Sequence, residues 1–204
     1  MNCVFCERIL RRRSDMVWDR TLAETADYAV VPTKGALVPG WLLVVAKEHL
    51  LCTGALRSSA MAGLSEAIAV AKGLVESKFG PATLFEHGPE SEGTALGCGV
   101  DHLHVHVAPL AFSLRAAFQR LYPDSCWKSV ADWRDLCPVH AGRMPYIAVQ
   151  ESDEELGWCP APINVRQPLR RAVATATGAR DHFDYNLHPY TENVTRTVEL
   201  LTAV

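Results

Sequence analysis

The residues best placed to do chemistry in this 204-residue chain lie in one run, Asp101-His102-Leu103-His104-Val105-His106-Val107-Ala108-Pro109. Imidazoles alternate with apolar residues, which is the pattern of a β-strand with one polar and one buried face. Leu103, Val105 and Val107 are expected to enter a core. His102, His104 and His106 would stand in a row on the other face, neighbours about 6–7 Å apart. Each ring brings two nitrogens that need partners, so three in a row are costly unless a pocket uses them. A neutral imidazole in a pocket can be a nucleophile, a proton donor or a metal ligand. Pro109 has no amide hydrogen for a sheet ladder and should end the strand.

A second chemical group opens the chain, Cys3-Val4-Phe5-Cys6. Such a pair can be two of four zinc ligands, a redox couple or two buried thiols. A redox pair usually opens a helix after a strand, and no strand precedes this one. A closed zinc site needs two further thiolate or imidazole ligands, for which His49 and His102 are the best candidates. Cys126, Cys137 and His140 are spaced irregularly and lack an obvious fourth ligand, so no second metal site is read there.

The elements that must position these groups can be read from the same sequence. A short helix is expected over Glu7 to Arg13, and two strands between Trp18 and Val31. Gly35 to Gly40 contains Pro39-Gly40, a turn signal. Trp41 to Ala46 is a near-continuous apolar run, the mark of a strand buried on both faces. Ser58 or Ser59 could cap a scaffold helix running to about Phe79, with Gly80 as its stop. Ala82 to His87 reads as a strand. The loop that follows holds Gly93, Gly97 and Gly99, and glycines let backbone amides approach an anion closely. Beyond the triad, Phe112 to Tyr122 reads as a helix and Tyr146 to Gln150 as a strand. A helix begins near Asn164 and ends near Gly178. Gln167 and Arg170 share its face at i, i+3 spacing near its N-terminus, a position that suits a phosphate. Thr191 is expected to cap a last helix, Glu192 to Ala203.

His102-Leu103-His104-Val105-His106-Val107-Ala108, preceded by Gly97-Cys98-Gly99-Val100, resembles the signature of the histidine triad superfamily of nucleotide hydrolases and nucleotidyl transferases. Gly40 to His49 resembles that family's second hallmark, a glycine, an apolar strand, then a basic residue and a histidine. The resemblance covers roughly Cys3 to Pro109, about half the chain. It implies an α+β fold: an antiparallel sheet with packed helices, here with a C-terminal extension. It divides the chain into a triad core over residues 1–110 and an extension over 111–204 packed on the same domain. In zinc-containing branches the metal is held by a Cys-x-x-Cys pair, the histidine ending the apolar strand and the first triad histidine. Here those positions are Cys3, Cys6, His49 and His102, which makes structural zinc the implied cofactor.

The same resemblance implies a mechanism. The middle histidine, His104, attacks the α-phosphorus of a nucleotide or dinucleotide and forms a nucleotidyl-histidine, while His106 donates to a phosphate oxygen or the leaving group. Gly97, Cys98 and Gly99 would wrap the phosphate, with Gln167 and Arg170 as further contacts. Phe5, Ile9, Leu22 and Tyr28 are nucleobase-wall candidates, although each taken singly reads more readily as core packing. Two departures stand out. Family members carry an asparagine where this chain has Glu86-His87, and a glutamine with a serine or threonine where it has Cys98 and Gly99. Backbone amides or other side chains must replace those contacts. Water as acceptor gives a hydrolase; another nucleophile gives a transferase or phosphorylase. The altered loop also leaves open a zinc-stabilised nucleotide-binding module without turnover. A DNA-end or RNA-cap processing enzyme is a third and weaker reading.

Bulk properties fit this picture. The net charge of −3, with 49% hydrophobic and 21% charged residues, is that of a globular protein with no global field to attract nucleic acid. The longest apolar run, Ala36 to Ala46, is broken by Pro39 and Gly40 and is too short to span a bilayer. Seven cysteines without a secretory signal point to reduced thiols and a cytoplasmic setting. A two-fold homodimer, common in the family, is the oligomer expected if one forms.

Overall fold

The structure, a computed structural model, describes residues 3–11, 14–93, 99–152 and 154–203. Short β-branched and aromatic runs fold into strands β1 (Ala23–Glu24), β2 (Tyr28–Pro32), β3 (Leu42–Ala46), β4 (Thr83–Gly88), β5 (His104–Ala108), β6 (Lys128–Val130), β7 (Tyr146–Gln150) and β8 (Leu156–Pro160). They form one eight-stranded sheet in the order β1-β2-β3-β5-β4-β7-β8-β6. Every neighbouring pair is antiparallel, giving the expected α+β class. The triad strand β5 lies centrally between β3 and β4, and its residues are buried throughout.

Register sorts the side chains onto two faces. Leu43 pairs with His106 and Val45 with His104 across β3 and β5, and Phe85 pairs with His106 across β4 and β5. These residues share one face with Ala29, Val31, Ile147 and Val149. The opposite face carries Val30, Val44, Leu84, Val105, Val107 and Ala148, covered by helix α1 (Met61–Glu76). Met61, Leu64, Ala67, Ile68, Ala71 and Val75 of α1 are buried at helical spacing. The stripe turns toward Val75 at its end, where Leu74 is only partly buried.

The extension continues the sheet instead of forming a separate layer. Strand β7 takes the outer edge of β4, and β8 and β6 follow. Helices α2 (Leu114–Leu121), capped by Ser113, and α4 (Pro168–Ala176) pack on the triad face beyond Phe85. The short α3 (Cys137–Ala141) follows a turn capped by Asp132, and α5 (Thr191–Thr202) closes the chain. Asn193 of α5 donates to the Ala36 carbonyl across 2.8 Å, and Thr197 accepts from the Gly40 amide across 2.7 Å. The last helix thus secures the turn that leads into Trp41.

Several local expectations change. The N-terminal helix is a single π-helical turn, Phe5–Leu10. Trp18 lies in a 3-10 turn, Val17–Asp19, and not in a strand. Neither Ser58 nor Ser59 caps α1, because a 3-10 turn over Ser58–Ala60 feeds directly into it. Thr191 is the first residue of α5, and Tyr190, with φ of 48°, stands at the cap position. Gln167 stands at the N-cap of α4 with φ of 54°. The residue before a proline is disfavoured from continuing a right-handed helix, so Pro168 starts the helix one residue later than the i, i+3 argument needs. Gln167 and Arg170 therefore do not share a helical face.

Candidate active site

Strand β5 presents its imidazoles in fixed and different tautomers. His104 Nδ1 lies 2.7 Å from the carbonyl oxygen of His102, which can only accept. That nitrogen therefore carries the proton and Nε2 keeps a free lone pair. Trp41 Nε1–H, which can only donate, points at His106 Nδ1 across 3.0 Å. His106 therefore carries its proton on Nε2. Phe85 stacks flat on the His106 ring, centroids 4.7 Å apart at 10°. Burial lowers the pKa of both rings and favours their neutral forms; the His102 carbonyl opposes this at His104, and His104 and Arg170 push His106 down further. One strand thus offers a bare imidazole nitrogen and, one pleat further on, an imidazole N–H.

Both rings open onto a cleft with a cavity volume of about 70 Å³. Phe5, Val31, Leu43 and Val100 supply apolar lining, and Trp18 and Tyr185 supply aromatic rings. Arg8, Lys34, Arg170 and Asp19 bring charge to the same cleft. An apolar, aromatic lobe beside cationic groups and two imidazoles suits a ligand with a flat heterocycle at one end and an anion at the other. Phe5 also packs edge-on against His104, centroids 5.2 Å apart, so the N-terminal turn is part of the wall. Of the other wall candidates, Ile9 is buried against the sheet beside Phe5, Tyr28 lies on the opposite face, and Leu22 packs at its margin.

Arg170 reaches this cleft from α4. Its guanidinium donates to the Phe183 carbonyl across 2.9 Å and to the Gly35 carbonyl, and stacks 4.9 Å above the Trp41 ring. It therefore braces the indole that orients His106. Gln167 is buried but points elsewhere, its amide 3.4 Å from Asp184, and it does not line the cleft. Gly99 has φ of 89°, and a Cβ there would lie 2.6 Å from the Tyr185 hydroxyl. That close approach needs glycine. Gly97 and Cys98 lie outside the described residues. Trp18, Lys34, Trp41, Phe85 and Tyr185 were not singled out from the sequence. Only Phe85 could have been, as the residue two before His87 on an alternating strand.

The Cys and His residues expected at a metal converge. Cys3 Sγ lies 3.3 Å from His102 Nδ1, Cys6 Sγ 3.4 Å from His49 Nδ1, and the two Nδ1 atoms 3.1 Å apart. All four donor atoms fall within 4.8 Å of one another. Bond lengths of about 2.0–2.3 Å to a tetrahedral ion require donor separations of roughly 3.3–3.8 Å. The set therefore fits a four-coordinate ion with soft and borderline ligands. His102 Nε2 donates to the Ala46 carbonyl across 2.7 Å, which turns Nδ1 toward the cluster. Among the described residues this is the one such group. Cys52 and His140 approach each other at 3.4 Å, but Cys137 turns away to the Leu56 carbonyl.

No protein-family model matches the chain, and no curated protein matches it. Among solved structures, a histidine triad nucleotide-binding protein from Sulfolobus tokodaii is 23% identical over 52% of this chain and 68% of its own, with a TM-score of 0.43. A HIT family hydrolase from Clostridium thermocellum is 21% identical over 55% of this chain and 94% of its own, with a TM-score of 0.43. Yeast Ap4A phosphorylase, solved with AMP, is 14% identical over 88% of this chain and 71% of its own, with a TM-score of 0.40. In sequence motif and in these matches alike, the chain is similar to histidine triad proteins.

Proposed function

We propose that this chain is a nucleotide hydrolase or nucleotidyl transferase working at an α-phosphate through a nucleotidyl-histidine on His104. The observation that carries this reading is the pair of opposite tautomers on β5. The His104 Nε2 lone pair forms a bond to phosphorus as the bond from phosphorus to the leaving oxygen breaks. The leaving phosphate departs as its anion, and His106 Nε2–H donates a hydrogen bond to a phosphoryl oxygen. In the second half, water or another acceptor attacks the same phosphorus, its proton is lost to solvent, and the bond from phosphorus to His104 Nε2 breaks. Because both rings are held neutral by burial, the nucleophile is ready at neutral pH without a separate base.

Residues 1–110 and 111–204 act in this reading as one unit. The first part supplies the imidazoles, and the second supplies Arg170 and Tyr185 to the cleft. Cys3, Cys6, His49 and His102 would hold zinc, whose role is structural: with four protein ligands it keeps no open position for water. Fixing His102 also fixes the carbonyl that sets the His104 tautomer.

The test is incubation with α-labelled ATP and dinucleoside polyphosphates, followed by a search for an acid-labile adduct. An adduct on the wild type that is missing in His104→Ala is the expected result. Tight nucleotide binding with neither adduct nor product would overturn the enzymatic reading. It would favour the binding module that the altered loop at Cys98 and Gly99 suggests.

A further inference from the structure

We infer that residues 183–190 of the extension form a gate: Tyr185 bridges the mouth of the triad cleft, and a nucleotide phosphate must displace it to reach His104. The inference rests on the nucleotide reading of the site for the identity of that ligand.

The cleft is too small as it stands. Its cavity of about 70 Å³ compares with roughly 300–1,000 Å³ for pockets that enclose a small-molecule ligand. What narrows it comes from the extension. Residues 183–190 run without helix or strand between the 3-10 turn Arg180–His182 and α5, and they bring Tyr185 to the lining. A Cβ on Gly35 would lie 2.5 Å from Tyr185 Cβ, and one on Gly99 would lie 2.6 Å from the Tyr185 hydroxyl oxygen. The side chain therefore reaches from the turn before β3 to the loop before β5. Lys34 and Val100, the chain neighbours of those glycines, both line the cleft, so the ring crosses between its two walls.

The segment is pinned at both ends and held more weakly in the middle. Arg170 donates to the Phe183 carbonyl across 2.9 Å, and the Gly35 amide donates to the Pro189 carbonyl across 2.8 Å. Between these points Lys34 Nζ reaches Asn186 Oδ1 at 3.3 Å, and both Asn186 and Leu187 are exposed. Two cations attend the Tyr185 ring: Lys34 Nζ lies 5.7 Å from its centroid and the Arg170 guanidinium 5.6 Å. The same two cations line the cleft. A phosphate is a stronger partner for them than an aromatic face is. The closed ring and a bound phosphate thus compete for one space and for one pair of charges, and a ligand that wins sets the segment loose.

The experiment compares wild type, Tyr185→Ala and Tyr185→Phe, each as purified. AMP affinity is measured by calorimetry, association by stopped-flow tryptophan fluorescence, and amide exchange over residues 183–190 with and without AMP. Tyr185→Ala is expected to bind AMP on the order of tenfold more tightly, because an apparent Kd is raised by the inverse of the open fraction. Tyr185→Phe keeps the ring and should match the wild type. In the wild type AMP should speed exchange at the Leu187 and His188 amides, which the closed segment bonds to the Asp184 carbonyl at 3.2 and 2.8 Å. Weaker AMP binding by Tyr185→Ala at an unchanged melting temperature overturns the gate and makes Tyr185 an ordinary wall of the site. Exchange over 183–190 that AMP slows in the wild type overturns it too, whether or not the alanine variant folds. A wild type that binds no AMP sinks the functional reading, and the gate is then decided by diethyl pyrocarbonate, which acylates neutral imidazoles and needs no nucleotide. Faster modification of His104 in Tyr185→Ala than in the wild type supports the gate, and equal rates overturn it.

Discussion

Trp41 and His106 are 65 residues apart in sequence, and the indole N–H of the first meets Nδ1 of the second across 3.0 Å. This bond decides which nitrogen of His106 carries the proton. Replacing Trp41 with Phe keeps an aromatic ring and removes the donor. His106 can then hold its proton on either nitrogen, and part of the population loses the N–H that faces substrate. The expected outcome is a fall in kcat of about 10- to 100-fold with KM little changed. Steady-state kinetics on the best substrate from the nucleotide screen would show it. A kcat at the wild-type value would remove the tautomer argument.

Arg170 supports the same indole from the other side and also binds two carbonyls, at Phe183 and Gly35. Arg170→Met keeps much of the stem volume but strands both carbonyls. A loss of about 2–4 kcal/mol of stability is expected, together with weaker nucleotide binding. Urea titration and AMP calorimetry measure the two effects separately. Destabilisation with unchanged affinity would assign Arg170 to the fold alone.

Glu86 gives the molecule a pH signature on the face away from the cleft. Burial raises its carboxyl from 4.5 to about 7, against the hydrogen bonds from Thr53 and Tyr146 that favour the charged form. A folded pKa above the unfolded one means stability fully present below pH 4.5 and lost as the pH rises through about 7. At higher pH the accumulated loss is on the order of 3 kcal/mol. Glu86→Gln cannot ionise, so its melting temperature should fall less than that of the wild type between pH 5 and pH 8. Parallel curves for the two proteins would contradict the assignment.

Metal content offers an independent check. Freshly purified protein should contain about one zinc per chain, released by a strong chelator or by treating Cys3 and Cys6 with a mercurial. Removal should lower the melting temperature and loosen the N-terminal turn, because that turn is tied to the sheet through His49 and His102. Cys6→Ser should reproduce the effect. Protein that is metal-free on isolation, with an unchanged melting temperature after chelation, would withdraw zinc.

Much of the site was legible because it is local. Alternation along residues 102–108 places His104 and His106 on one face of a strand whatever surrounds it, and Pro109 sets its end. The apolar run ending at Ala46 reads as a buried strand for the same reason. Donor chemistry marks Cys3, Cys6, His49 and His102 as a soft ligand set, although only the fold shows their atoms within 4.8 Å. Where the reading failed, two local rules competed. Gln167 looked helical by spacing, but the following Pro168 moved the helix start, leaving Gln167 with a left-handed backbone and its side chain on Asp184.

The sequence by itself determined which residues could attack, donate or bind a metal, since residue type and strand period are written in a few consecutive letters. The tertiary structure alone decided which proton sits on which ring, and who lines the cleft. Trp41, Phe85, Tyr185 and Arg170 reach the triad from separate elements, and two of them come from the extension. Periodicity tells a side chain which way to face. It carries no information about what the rest of the chain will bring opposite, and here that partner fixes the tautomer and so the chemistry.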